Sequence, residues 1–178
     1  MRLDALKKHL AETPLEELQK EWYEVEQHYP SPNAMQRVYV DMDDTLCNFT
    51  GARKEALKKV PGQQFPQAQM DFFRKLEPID DAISSILTLA TRYDVWILTR
   101  PSYINPLCYT EKRLWVEDHL GLEWCNKLIL CPDKSLLKGD ILIDDVEWPE
   151  FEGDQILFGQ GMHATWEGVI KNLMPLPK

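Results

Sequence analysis

The sequence predicts an α/β fold: a three-layer sandwich built on a mainly parallel sheet. Three observations predict it. Short apolar, β-branched runs alternate with segments of helical period from residue 37 to residue 173, as successive strand–helix units do. Val95-Trp96-Ile97-Leu98 and Ile141-Leu142-Ile143 are almost continuously apolar, as strands covered on both faces are. Acids or a hydroxyl stand at the C-terminal ends of three of these runs, where open parallel sheets place their ligands.

The elements follow in order. Residues 1–29 read as helix: Thr13-Pro14-Leu15-Glu16 fits a capping box with proline at the first helical position. Leu15, Leu18, Trp22 and Val25 then recur at helical spacing. Tyr29-Pro30-Ser31-Pro32-Asn33 breaks that helix. Residues 1–36 are therefore expected to be a helical extension ahead of a core at 37–178. Arg37 to Met42 is the first strand, and Phe49 to Val60 a helix. Pro61-Gly62 and Phe65-Pro66 interrupt the chain, and Pro78 opens a helix with Ile79, Ile83, Ile86, Leu87 and Ala90 on one face. Residues 49–78 thus stand as a small, partly helical insertion after strand one. Asp94–Thr99 is the second strand; a proline-bearing loop leads to a helix over Glu111–Leu120 that stops at Gly121. Lys127–Cys131, Asp140–Asp144 and Gln155–Phe158 are three further strands, and Thr165 caps a last helix through Leu173.

Composition narrows the function. The 178 residues suit one domain with a small insertion, and 44% hydrophobic with 28% charged residues is ordinary for a globular chain. A net charge of −9 argues against nucleic acid or an anionic membrane as partner. The charged N-terminus does not read as a signal peptide and no apolar run reaches membrane-span length, so a cytoplasmic location is expected. None of the four cysteines forms a C-x-x-C pair, which points to reduced thiols rather than a zinc site. Cys47 reads as a small buried apolar residue beside the acids.

The chemistry concentrates at the strand ends. Strand one delivers Asp41 and Asp43, two residues apart and so on one side of an extended chain. Paired carboxylates of this kind suit Mg²⁺ and phosphoryl transfer. Asp41 is the candidate nucleophile. Asp43 is placed to protonate a leaving alkoxide and then activate water. Thr99 ends strand two and offers a hydroxyl to phosphoryl oxygens, and Lys134 offers a point charge. Asp145 would complete a Mg²⁺ shell, with Asp144 beside it holding a metal-bound water or orienting Lys134. A receiver-like signalling domain has its acids in a different order. A calcium loop beginning at Asp41 fails because Leu46 takes the glycine position and no glutamate stands at position 52.

The order Asp41-x-Asp43-x-Thr45, then an apolar strand ending in Thr99, then Lys134, then a strand ending in Asp144-Asp145 resembles the haloacid-dehalogenase-like phosphohydrolases, whose fold is Rossmann-like. Within them the chain is most similar to the deoxyribonucleotidases, through Asp41–Phe49, Phe72-Phe73 before Pro78, Tyr109–Val116, and Asp133-Lys134 ahead of Leu142–Asp145. The resemblance implies a Mg²⁺-dependent 5'-nucleotidase, a phosphoric monoester hydrolase working through an aspartyl-phosphate on Asp41. It implies that Asp43 also gives its backbone carbonyl to the metal, that Asp41 and Asp145 are ligands, and that Thr99, Lys134 and Lys112 meet the phosphate. Phe49 and Phe73 would line the nucleoside pocket. Arg100 stands where the family usually has a small residue, and would clamp a second anionic group or crowd the pocket. The insertion at 49–78, the family's small helical cap, is shorter than theirs, which implies a smaller substrate or none held tightly. The partner implied is a small phosphorylated molecule, a (deoxy)nucleoside monophosphate or another metabolite, with a homodimer allowed for. The competing reading is a phosphate- or nucleotide-binding protein with vestigial chemistry.

Overall fold

Five parallel strands in the order β3-β2-β1-β4-β5 form the only sheet among the described residues. The computed structural model describes residues 35–175 without a break, and residues 12–14, 16, 17 and 20 before them. The chain divides into two units, Met1–Ala34 and Met35–Lys178. In the first, Glu17 N–H donates to Pro14 O at 3.0 Å, a turn at the place the capping motif marks; the rest of the helix expected over 1–29 lies outside the described residues.

In the second unit β1 (Arg37–Val40) leads to α1 (Phe49–Lys59), a 3₁₀ turn at Pro66–Ala68, α2 (Ala82–Leu89) and β2 (Asp94–Thr99). Then come α3 (Cys108–Leu120), β3 (Leu128–Leu130), a 3₁₀ turn at Lys134–Leu136, β4 (Ile141–Asp144), β5 (Asp154–Leu157) and α4 (Trp166–Leu173). Alternation within the strands sorts their side chains between two faces. Val38, Val40, Val95, Ile97, Ile141 and Ile143 join the larger core, with Ala82, Ile86 and Leu89 of α2, Trp115 and Val116 of α3, and Trp166 and Val169 of α4. Tyr39, Leu98 and Leu142 face a smaller cluster, closed by Phe151, Leu137 and Trp148 from connections rather than helices.

Three element boundaries differ by two residues or more from those the sequence predicts, and several others by one. β1 stops two residues early because Met42 O accepts from Leu46 N–H at 2.8 Å and Cys47 N–H at 2.9 Å, curling the chain into a tight loop. α2 starts at Ala82 rather than at Pro78: Ile79 N–H is held by Leu46 O at 2.9 Å and Pro78 pairs with Cys47, so residues 77–79 stay extended. Asp81 then turns through a left-handed conformation, φ 62°. α3 starts earlier, at Cys108, because buried Asn105 organises the turn before it; its carbonyl takes Cys108 N–H at 3.0 Å and its Oδ1 takes Leu107 N–H at 2.9 Å.

The order of strands reverses at β1, which has β2 on one side and β4 on the other. That is the switch point at which such sheets open a crevice. The connection from β3 back across to β4 is short, residues 131–140, and carries Lys134. It lies close on β1: Tyr39 OH donates to Lys138 O at 3.0 Å, and a Cβ on Gly139 would sit 2.4 Å from the Tyr39 ring. Among the described residues no helix is long and apolar enough to cross a membrane.

Candidate active site

Asp41 is the first residue past β1, buried, and fixed by its N–H to Ile143 O at 2.9 Å. The loop beyond it turns at Asp44, φ 58°, a conformation aspartate tolerates better than most side chains. Asp44 then holds the start of α1, accepting Thr50 N–H at 2.8 Å and Thr50 OH at 2.5 Å. This turn leaves Asp41 and Asp43 on the same side but in different surroundings.

Asp41 Oδ1 accepts from Lys134 Nζ, which also donates to Asp144 Oδ2 at 2.5 Å. Lys134 is 1% exposed, with its ammonium 5.7 Å from the centre of the Trp148 ring. Asp43 Oδ2 accepts from Lys112 Nζ at 2.8 Å. Lys112 has no exposed surface, and it donates as well to Thr99 Oγ1 at 2.6 Å and Arg100 O at 2.9 Å. A threonine hydroxyl that accepts from a lysine has its own hydrogen free to donate elsewhere. Each carboxylate therefore has a separate buried lysine.

Crowding of acids sets the charge states. Burial pushes the Asp43 carboxyl up, Lys112 pulls it back, and nearby Asp41 pushes it up again, with a net rise. Burial and Asp41 raise Asp144 against the pull of Lys134. Asp145 has no ion-pair partner among the described residues; burial, Asp41 and Asp144 push it to about 7. Burial works against the charge on Lys112, but Asp43 and Asp41 outweigh it and its pKa is raised. Cys47, buried beside Asp43, has its thiol held well above the usual range by burial and by that charge, so it is a neutral wall residue.

Asp41, Asp144 and Asp145 offer oxygen atoms that all lie within 4.8 Å of one another. Three hard ligands that repel one another, one of them lacking a cation, fit Mg²⁺. The Asp43 carboxylate is outside this group and turned to Lys112.

The remaining residues singled out in the sequence sit around this centre. Phe73 is 1% exposed, under the Lys112 ammonium at 5.3 Å, and stacked on half-buried Phe49 with ring centres 5.9 Å apart. Arg100 is exposed and its guanidinium makes no hydrogen bond or ion pair among the described residues. It lines a 410 Å³ cleft with Pro132, Asp133, Ser135 and Trp148, and its charge helps hold Asp133 below the usual carboxylate range, after the hydrogen bonds from Ser135.

Two positioning groups do not stand out in the sequence. Glu111, buried on α3 next to Lys112, accepts Asp71 N–H at 2.8 Å and Phe73 N–H at 3.0 Å. Asn105 Nδ2 donates to Gln67 O at 3.0 Å. Together they tie the insertion to the helix that carries Lys112. A signal was available: Cys108, Glu111, Lys112 and Trp115 recur at helical spacing on the buried face of α3, so two charges occupy apolar positions. Glu111→Gln leaves one acceptor for two N–H groups. It is expected to lower stability by about 1–3 kcal/mol, measured by denaturant unfolding; an unchanged midpoint would refute the clamp.

The fold, with its acids gathered at the switch point, is the haloacid-dehalogenase-like fold. The HAD-hydrolase YfnB from Bacillus subtilis, a structure with magnesium bound, shares the fold at a TM-score of 0.51 and 11% identity, over 70% of this chain and 87% of that one. Residues 63–171 match the family of 5' nucleotidase, deoxy (pyrimidine), cytosolic type C proteins. A protein of Vibrio phage KVP40 assigned as a 5'(3')-deoxyribonucleotidase is 33% identical over 143 residues, 76% of this chain and 83% of that one. The mitochondrial 5'(3')-deoxyribonucleotidase of Mus musculus is 33% identical over 165 residues, 75% of this chain and 71% of that one. The chain belongs to the deoxyribonucleotidase family of phosphoric monoester hydrolases.

Proposed function

We propose that the protein is a Mg²⁺-dependent phosphomonoesterase that hydrolyses deoxyribonucleoside monophosphates through an aspartyl-phosphate on Asp41. The observation that carries this reading is the division of labour between two acids two residues apart. Asp41 is buried against Lys134, whereas Asp43 keeps a side chain 26% exposed, is paired with Lys112 and has a raised pKa. Environments that set two carboxylates apart suit one for attack and the other for proton transfer.

Asp41 Oδ1 is tied to Lys134, which leaves Oδ2 to attack phosphorus in line with the leaving alkoxide. The P–O bond to the sugar breaks as the Asp41–phosphorus bond forms, and Asp43 gives the alkoxide its proton. Asp43, now a base, takes a proton from water as that water attacks the phosphorus and releases Asp41. Thr99 and Lys134 meet the non-bridging oxygens. Lys112 holds Asp43 and Thr99 in register. Asp41, Asp144 and Asp145 would hold the Mg²⁺, which when bound neutralises phosphoryl charge.

The relatives' names supply the substrate class, and the half-buried Phe49 edge is the apolar surface offered to a nucleoside. The test is phosphate release from deoxy- and ribonucleoside monophosphates, sugar phosphates and an aryl phosphate, with and without Mg²⁺. Mg²⁺-dependent release that favours the deoxynucleotides is expected; sugar phosphates as the best substrates would overturn the nucleotide reading. Arg100→Ser removes an exposed cation that lines the cleft beside Asp133. It is expected to raise KM for the best anionic substrate about threefold to tenfold, the effect of an exposed to partly buried charge; an unchanged substrate profile would make Arg100 a surface residue.

A further inference from the structure

Trp148 lies outside every motif that defines the family resemblance, yet it touches the centre of the site twice. Its indole N–H donates to Asp144 Oδ2 at 3.0 Å, the oxygen that also takes Lys134. Its ring lies 5.7 Å from the Lys134 ammonium, within cation–π range. Its backbone is fixed from the neighbouring strand. Gln155 of β5 accepts Trp148 N–H at 3.0 Å and donates to Val146 O at 2.6 Å, clamping the loop after β4. Trp148 also lines the cleft that Arg100 lines.

We propose that Trp148 is a positioning residue of the phosphoryl site, which shares Lys134 out between Asp144 and Asp41. The proposal rests on the reading that Lys134 meets the phosphoryl group. Lys134 is caught between two carboxylates, and the one that takes more of its charge decides how much is left for phosphate. Without help, Asp144 Oδ2 would satisfy its charge from Lys134 alone and draw the ammonium away from Asp41. The indole N–H supplies a second donor to that same oxygen, and Val146 N–H supplies one to Asp144 Oδ1 at 3.0 Å. Asp144 is then content with a weaker hold on the lysine. The ring face keeps the ammonium from swinging toward the cleft. The effect reaches the reacting atoms through Lys134, so it belongs to the charge that develops in the transition state more than to ground-state binding.

Trp148→Phe keeps the ring and deletes the donor; Trp148→Ala deletes both. Trp148→Phe is expected to lower kcat about tenfold with KM within twofold, and Trp148→Ala to lower kcat further, in protein whose circular dichroism matches the parent. In the unmutated protein the indole N–H resonance that Trp148→Phe removes is expected to shift when inorganic phosphate is titrated in with Mg²⁺. Unchanged kcat in both variants, or a loss confined to KM, would overturn the proposal. If the unmutated protein releases no phosphate from any substrate, the phosphatase reading fails by itself, and the resonance then decides: a shift with phosphate supports the positioning role, and a stationary resonance rejects it.

Discussion

Asp41→Asn is expected to abolish turnover, by roughly 10⁴-fold or more, the scale of losing a covalent nucleophile, while the fold stays intact or becomes more stable. The two halves have one origin. Burial raises Asp43, Asp144 and Asp145, and Asp41 is the acid that adds to the rise in all three. Replacing its carboxylate with an amide removes the nucleophile and relieves that repulsion. Lys134 is not orphaned, because Asp144 still takes it at 2.5 Å, so the usual penalty for stranding a buried charge does not arise. Asp145 should fall below about 7, and burial and Asp144 should still hold it above the ordinary carboxylate range. Phosphate release, thermal unfolding and carboxyl titration by NMR check the three parts. Full activity in this variant would end the aspartyl-phosphate mechanism, and a large loss of stability would contradict the electrostatic account.

Mg²⁺ binding is expected to weaken steeply below neutral pH. Asp145 titrates at about 7 in the metal-free protein, against about 3.9 in an unfolded chain. Between those values the folded state holds a proton the unfolded state has released, so stability falls as pH rises from about 4 to 7. Asp43 and Asp144, also raised, act in the same direction. Without divalent ions the melting temperature should be lower at about pH 7.5 than at about pH 5.5, and Mg²⁺ should restore it at the higher pH. A ligand must be ionised to bind; for a group near 7, ionisation falls roughly twentyfold across that range. Calorimetric titration in buffers of different ionisation heat would show proton release with binding. Equal Mg²⁺ affinity at both pH values would remove Asp145 from the ligand set, and Asp145→Asn should flatten the stability profile.

The sheet and the acids were legible because both are written in short, local patterns. Asp94–Thr99 reads as a strand from its apolar run, and its ends match the structure. Asp41 and Asp43 declare themselves by their spacing after a β-branched run. Less legible were features fixed by contacts distant in sequence. Nothing local shows that Pro78 pairs with Cys47, which delays α2. Nothing near Lys112 says that its partner is Asp43, 69 residues away. Helical spacing puts Glu111 on a buried face, but its two N–H partners lie 38 and 40 residues earlier and nothing local names them. The aromatic residues were least informative. Phe73 reads equally as core or pocket wall, and its placement under Lys112 and against Phe49 depends on the whole fold.

The chain leaves the core at residues 46–48 and returns at 77–79, and the two ends are stitched to each other. Asn48 N–H donates to Glu77 O at 2.9 Å, and Ile79 N–H donates to Leu46 O at 2.9 Å. The segment between is held at this neck and again near its far end, where Glu111 and Asn105 tie residues 67–73 to the start of α3. Segments of other lengths could replace the stretch between Thr50 and Pro66 without moving Asp41 or Asp43, because α1 buries no side chain and the ties to α3 come after it. Evolution, or a protein engineer, can therefore exchange that stretch while keeping the acids at the strand ends in place.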